Sequence, residues 1–192
     1  MKKNQLYALT LLFAIISFGL SSCSKEKSFS SGGSGGTGGT GGGGGTGGSS
    51  SYFMKFKING VQKEFNANTF AVFSSIDIVG TTIYTASIQG TFSTSSSTTN
   101  LMGININDIT PIVANKDYSD ATVGQTIQGA LLYFDATGEQ YSTLLVPTDV
   151  NLKIRITELT STVVAGTFSG KMQAMTGTTV LNVTEGSFRI KR

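Results

Sequence analysis

The residue types needed for most enzymatic chemistry are scarce in this chain. Among 192 residues there is no histidine and a single cysteine, Cys23. The Ser–His and Cys–His pairs that activate a nucleophile are therefore excluded, as are zinc and iron sites with histidine ligands. Carboxylates are the main groups left for acid–base catalysis or for binding a metal ion.

Three aspartates fall within thirteen residues: Asp108, Asp117 and Asp120. Carboxylate and amide oxygens are the ligands that calcium prefers, so a calcium site is one interpretation of this segment. However, the spacing matches no EF-hand loop, and Asp and Asn also favour turns because they hydrogen-bond to their own backbone. The sequence therefore favours a solvated turn, with no metal or other cofactor, and keeps calcium as the alternative.

Other acids lie where a pair could act as general acid and general base, as in glycosidases. Any ten acids offer such pairs by chance, so we expect no enzyme here. The candidates are Asp135, Glu139, Asp149, Glu158 and Glu185.

Three tyrosines near strand ends or in loops are candidates for contact with a partner: Tyr52, Tyr118 and Tyr141. Tyrosine is common in binding interfaces because it combines an apolar ring with a polar tip. The alternative is that these rings serve no binding role. No catalytic residue is predicted.

The N-terminus has the layout of a secretory signal. Lys2 and Lys3 precede an apolar run of 15 residues from Leu6 to Leu20, which is shorter than the roughly 18 to 20 residues of a membrane span. Leu20-Ser21-Ser22-Cys23 follows and resembles the lipobox of bacterial lipoproteins. The resemblance implies cleavage of residues 1–22 between Ser22 and Cys23, and attachment of acyl chains such as palmitate to Cys23. Two or more chains would hold the protein stably at a membrane.

The segment after Cys23 predicts a destination and a tether. Ser24 stands where an Asp retains enterobacterial lipoproteins at the inner membrane, which favours the outer membrane, on either its periplasmic face or the cell surface. Residues 32–48 contain 13 glycines and four Ser or Thr, too few apolar groups to offset the entropy of ordering. Residues 23–51 are therefore predicted to be a disordered linker with a reach of roughly 30 Å.

The remaining residues, 52–192, are predicted to form one domain. They carry ten Lys and Arg and ten Asp and Glu, so the domain is formally neutral although the whole chain has a pI of about 9.0. A nucleic-acid-binding domain would need an excess of basic residues, so we expect no nucleic-acid partner.

The domain alternates apolar and polar residues with the period of a β-strand almost throughout. Asn59-Gly60 predicts a two-residue hairpin turn that pairs Met54 with Phe65 and Lys55 with Glu64. Near the end of the chain the alternation of apolar and polar residues shifts by one position. A β-bulge would correct this shift, and Gly186 is the natural place for it. With no convincing helical window, we expect an all-β, antiparallel sandwich or small barrel of about nine or ten strands.

Three motifs carry a resemblance to a family of uncharacterised Bacteroidota lipoproteins with an all-β C-terminal domain. They are the hairpin from Met54 to Phe65, the Gly-Thr-Phe-Ser-Gly run of residues 166–170, and the closing Gly186-x-Phe188 strand. The resemblance spans most of the domain. The resemblance implies an exported lipoprotein with an all-β fold, and it carries no catalytic signature.

Three functions remain open from the sequence. The first is a membrane-anchored, non-enzymatic module that binds an envelope or extracellular partner or has a structural role at the surface. The second is a lipocalin-like carrier, which requires an internal cavity of roughly 300 Å³ or more lined by Phe, Ile and Leu. The third is a carboxylate-based hydrolase, which requires two acids facing one cleft about 5 to 10 Å apart. The oligomeric state is not predicted.

Overall fold

The structure is a computed structural model, and it describes residues 52–92, 99–119, 128–146 and 150–192. In these ranges 66% of the residues are in β-strands, and the only helical element is one turn of 3-10 helix, η1 (Thr143–Leu145). The strands are β1 (Phe53–Ile58), β2 (Val61–Phe65), β3 (Phe70–Ile78), β4 (Thr81–Thr91), β5 (Leu101–Asp108), β6 (Lys116–Asp117), β7 (Gln128–Phe134), β8 (Gln140–Ser142), β9 (Lys153–Leu159), β10 (Val163–Ala174) and β11 (Val180–Lys191).

All eleven strands belong to one antiparallel sheet that curls into a half-barrel. Its main path runs in the order β2-β1-β11-β10-β8-β7-β5-β4-β3. The sheet forks at β10, whose first half pairs with β9 and whose end pairs with β8, and the short β6 extends the fork by pairing with β9. On the main path, β2 and β3 are thus the two edge strands.

The predicted hairpin of β1 and β2 is confirmed residue by residue. Met54 pairs with Phe65, Lys55 with Glu64 and Ile58 with Val61. Asn59 and Gly60 both have positive φ, of 48° and 83°, as this type of turn requires. On the outer face Lys55 and Glu64 form the expected ion pair, with Nζ and Oε1 3.5 Å apart.

The predicted bulge in the last strand is also present. Between β1 and β11, Lys55 pairs with Ser187 and Lys57 with Thr184, so β11 has one residue more than its neighbour. The same extra residue appears against β10. Glu185 takes the positive φ, of 52°, and Gly186 lies against Phe168. The bulge restores the register, so that Val183 and Phe188 both face the core.

The core fills the inside of the curl with side chains from nearly every strand. Phe56 is at its centre, with ring centroids 5.1 Å from Phe65, 5.8 Å from Phe168 and 6.3 Å from Tyr133. The largest fully buried side chains are Tyr118, Phe56, Phe65, Phe188, Met54, Ile88, Met102, Ile104, Ile106, Leu131, Ile154 and Ile156.

The strand count exceeds the expected nine or ten because of β6, two residues inside a segment with no alternating pattern. Lys116 and Asp117 form a strand only because β9 offers a partner, with Lys116 opposite Ile156. The described residues contain no helix long and apolar enough to cross a membrane.

Candidate functional site

A groove lies where the edge strand β3 meets the ends of other elements of the half-barrel. It encloses ≈ 360 Å³ and is lined by β3, β4, the segment after β5, the end of β9 and the residue after β11. The lining residues are Phe73, Ser74, Ser75, Tyr84, Thr85, Pro111, Ile112, Leu159 and Arg192.

The groove combines aromatic and aliphatic surface with one cation. The Arg192 guanidinium lies over the Phe73 ring, 4.3 Å from its centroid, and donates a hydrogen bond to the Thr160 carbonyl. The hydroxyls of Ser74 and Thr85 are 2.7 Å apart and hydrogen-bond to each other. The lining is therefore mixed and the groove is open to solvent, unlike the enclosed cavity of Phe, Ile and Leu that a lipocalin-like carrier requires.

Asp108 is buried at the end of β5, close to this groove. Its carboxylate accepts hydrogen bonds from Lys116 Nζ at 2.5 Å and from the Thr110 backbone and hydroxyl at 2.9 and 3.0 Å. Burial raises the pKa of Asp108, but these hydrogen bonds and the Lys116 charge outweigh burial and hold the pKa below its ordinary value. Asp108 is thus a fixed, ionised group that holds its segment in place.

Tyr118 is fully buried, so its predicted place on a binding edge is wrong. Its hydroxyl accepts a hydrogen bond from the Val113 amide at 2.8 Å and donates one to the Val113 carbonyl at 3.2 Å. Burial is the main reason that the pKa of Tyr118 is raised. The ring lies beneath the loop between β5 and β6, and its hydroxyl holds that loop against the core through the two hydrogen bonds to Val113.

Of the other two tyrosines, Tyr141 also departs from the predicted binding edge, whereas Tyr52 does not. Tyr141 is 9% exposed and packs against Tyr133 with ring centroids 6.1 Å apart, so it is a core residue as well. Tyr52 is partly exposed at the start of β1 and alone stays a candidate contact residue. The structure does not bring the three tyrosines together on one surface.

Two of the three aspartates proposed for calcium are among the described residues, and both have other partners. Asp117 is exposed and accepts a hydrogen bond from Arg155 at 2.7 Å, while Asp108 is paired with Lys116 as described above. Asp120 lies outside the described residues. Within the described ranges no three side chains of His, Cys, Asp or Glu are placed to hold a metal ion.

Four of the five acids proposed for hydrolysis are among the described residues, and all four have hydrogen-bond or ion-pair partners. Asp135 accepts hydrogen bonds from Thr137 and from the Glu139 amide, and Glu139 accepts one from the Thr176 hydroxyl at 2.7 Å. Burial raises the pKa of Asp135, but its hydrogen bonds lower the pKa by more than burial raises it. The net shift is therefore downward, opposite to what a general acid needs. Glu158 pairs with Arg189 and Glu185 with Lys57, and Asp149 lies outside the described residues.

The outer face of β3 carries three exposed apolar residues, which sequence reasoning did not single out. Phe70, Val72 and Ile76 are 38%, 39% and 43% exposed. The available signal was that β3 is apolar at both odd and even positions from Phe70 to Phe73, which is typical of a central strand. In the sheet β3 is instead an edge strand. Its outer-face apolar residues are exposed, whereas Ala71 on the inner face is buried.

No protein family, curated protein or solved structure matches the chain. The predicted lipidation site Cys23 and cleavage site Ser22 lie outside the described residues. They stay predictions, as does the resemblance to Bacteroidota lipoproteins.

Proposed function

We propose that this chain is an exported lipoprotein, anchored to the outer membrane through Cys23, whose β domain is a non-enzymatic binding or structural module at the membrane surface. The anchor follows from the lipobox-like residues 20–23 and the glycine-rich linker.

One observation carries the non-enzymatic part of the proposal: each of the eight side-chain carboxylates among the described residues is in an ion pair or accepts a hydrogen bond. Five are in ion pairs, and three accept hydrogen bonds from threonine hydroxyls. A glycosidase-type pair needs one acid with a raised pKa and one carboxylate free to face the substrate. This pattern supports stabilising roles for the acids and favours binding over catalysis.

Uncovered apolar surface supports binding as the function. Scattered apolar residues are normal on a protein surface, but a row of them marks a contact site. The outer face of β3 carries such a row in Phe70, Val72 and Ile76. If the domain acted as a carrier of a small apolar ligand, the groove beside Phe73 and Tyr84 would have to hold it.

The anchor is tested by replacing Cys23 in the full chain. We expect the parent to incorporate a fatty-acid label and to fractionate with the outer membrane, and Cys23→Ser to lose both properties because the thiol carries the acyl chains. Ser30→Ala, a change in the linker, is the control and should behave as the parent. An unlabelled parent, or a Cys23→Ser chain that still fractionates with the outer membrane, would contradict the anchor.

A further inference from the structure

The edge strand β3 lacks the features that usually keep a sheet edge from pairing with another chain. Over nine residues it contains no Lys, Arg, Pro or bulge, and its single charge, Asp77, already accepts a hydrogen bond from Thr82. The opposite edge, β2, is five residues long and carries Lys63 and Glu64. Short, charged edges resist pairing and long, apolar ones invite it. The contrast makes β3 the open edge of the sheet.

On the edge of β3 that faces away from β4, the backbone N–H and C=O groups bond to no other strand of the described residues. In an antiparallel pair only alternate residues direct their N–H and C=O groups to the neighbouring strand. β3 pairs with β4 alone, and within the described residues no other backbone group bonds to residues 70–78. The groups on its free edge are therefore a template for one more antiparallel strand.

The sequence of β3 is complementary to itself when it is reversed about Ser74. In that antiparallel register Phe70 faces Ile78 and Val72 faces Ile76 of the second copy, so the outer-face apolar residues meet one another. Asp77 faces Ala71, so no like charges are opposed. Cross-strand pairs of aromatic and β-branched residues stabilise a sheet, whereas opposed like charges destabilise it.

The groove runs along β3 and β4 and is also lined by Ile112, Leu159 and Arg192. It touches three consecutive β3 residues, Phe73, Ser74 and Ser75, and because neighbouring side chains point to opposite faces, it reaches the strand backbone. The same register places the second copy's Phe73 opposite Ser75, on the inner face. Tyr84 pairs with Ser75 from the β4 side, so the two rings would lie on either side of Ser75, two strand spacings or about 10 Å apart. The second copy's Phe73 would thus extend the inner face of the sheet by one aromatic residue.

We propose that β3 pairs with β3 of a second copy of this chain, antiparallel and centred on Ser74, to give a symmetric dimer with one continuous sheet. This inference deepens the proposed binding function, on which it rests, by naming the partner. A two-fold axis through the Ser74 pair makes the contact isologous, so it closes at two copies rather than growing into a filament.

Cross-linking in the membrane tests the register. With Cys23 acylated, Ser74→Cys supplies the single free thiol, and a short bismaleimide should join two copies across the axis. Val79→Cys is the matched control, in the exposed turn after β3. In the proposed register its two copies are ten residues apart along the strand, about 34 Å at roughly 3.4 Å per residue, and should not be joined.

Blocking the edge tests the contact itself. In the Ser74→Cys chain, Val72→Lys places two unpaired lysines against apolar Ile76 residues. We expect dimerisation to weaken about 100-fold, if each of the two equivalent contacts costs about a factor of ten. Val61→Lys makes the same change at an exposed residue on the other edge strand and should leave cross-linking unchanged. Far-UV circular dichroism of both purified variants should match the parent.

Each other outcome overturns the pairing. These are a Ser74→Cys chain that stays monomeric, unchanged cross-linking with Val72→Lys, equal cross-linking at Val79→Cys, loss of the dimer with Val61→Lys, or a product whose mass shows a different protein. If the parent is cross-linked through Cys23 and is recovered in the soluble fraction, the anchor proposal has failed. The pairing is then tested in the Cys23→Ser background, so the two proposals fail separately.

Discussion

At the scale of single residues, the Asp108–Lys116 pair shows how a charge can be buried at acceptable cost. The Asp108 side chain is 1% exposed, whereas that of Lys116 is 29% exposed, so the cation keeps part of its hydration. Asp108 also receives two hydrogen bonds from Thr110, which replace the water that its carboxylate loses. Lys116 Nζ lies 5.3 Å from the centre of the Tyr118 ring, which links the pair to the core.

Replacing Asp108 by Asn should therefore destabilise the domain by about 2 kcal/mol at pH 7, toward the low end for a buried ion pair because Lys116 can reach water. The folded pKa of Asp108 lies below the ordinary value of 3.8. Its contribution is thus fully present above the unfolded pKa and is lost as the pH falls through the folded pKa. Urea unfolding of parent and variant at pH 7 and pH 3 should show the difference in unfolding free energy shrinking at the lower pH.

Asp117→Asn is the matched control, since the Asp117–Arg155 pair is exposed on both sides. Exposed ion pairs contribute about 0 to 1 kcal/mol, so this variant should stay close to the parent. Equal losses of stability in the two variants would show that burial of Asp108 has no special importance.

At the scale of elements, the bulge in β11 depends on a close approach that only glycine permits. A Cβ on Gly186 would overlap the Phe168 carbonyl oxygen and lie 2.7 Å from Phe168 Cγ. Gly186→Ala must therefore shift β10 or β11, and we expect a loss of about 2 kcal/mol, as for other overpacked sites. Thermal unfolding followed by circular dichroism measures it. Gly177→Ala, where a Cβ would meet nothing within 4 Å, should change stability by no more than about 0.5 kcal/mol.

Elements defined by short-range rules could be predicted from the sequence, and those defined by distant partners could not. The hairpin at Asn59-Gly60 and the bulge at Gly186 follow from turn chemistry and alternation within a few residues. Lys116 and Asp117 form a strand only because β9 is beside them, and Tyr118 is buried only because its loop folds back over the core. The edge position of β3 depends on the order of all the strands, which local patterns do not encode.

At the scale of the whole molecule, the curl of one sheet makes a single core whose parts depend on each other. Phe56 from β1 contacts rings contributed by β2, β7 and β10, which are far apart in the chain and at different positions along the sheet. Removal of the Phe56 ring would leave a cavity shared by the rings of three other strands. The domain should therefore unfold as one cooperative unit.

Phe56→Ala tests this dependence. The loss of a ring at the centre of the core should cost about 3 to 5 kcal/mol, a large part of the 5 to 15 kcal/mol typical of a whole domain. Phe92→Ala makes the same change at a ring that is 65% exposed and should cost less than about 1 kcal/mol. Urea unfolding followed by circular dichroism and by tyrosine fluorescence, the chain having no tryptophan, should give coincident transitions in all three proteins. Separate transitions for the two probes would mean that the halves of the sheet are stabilised independently, and that the curl does not join them into one core.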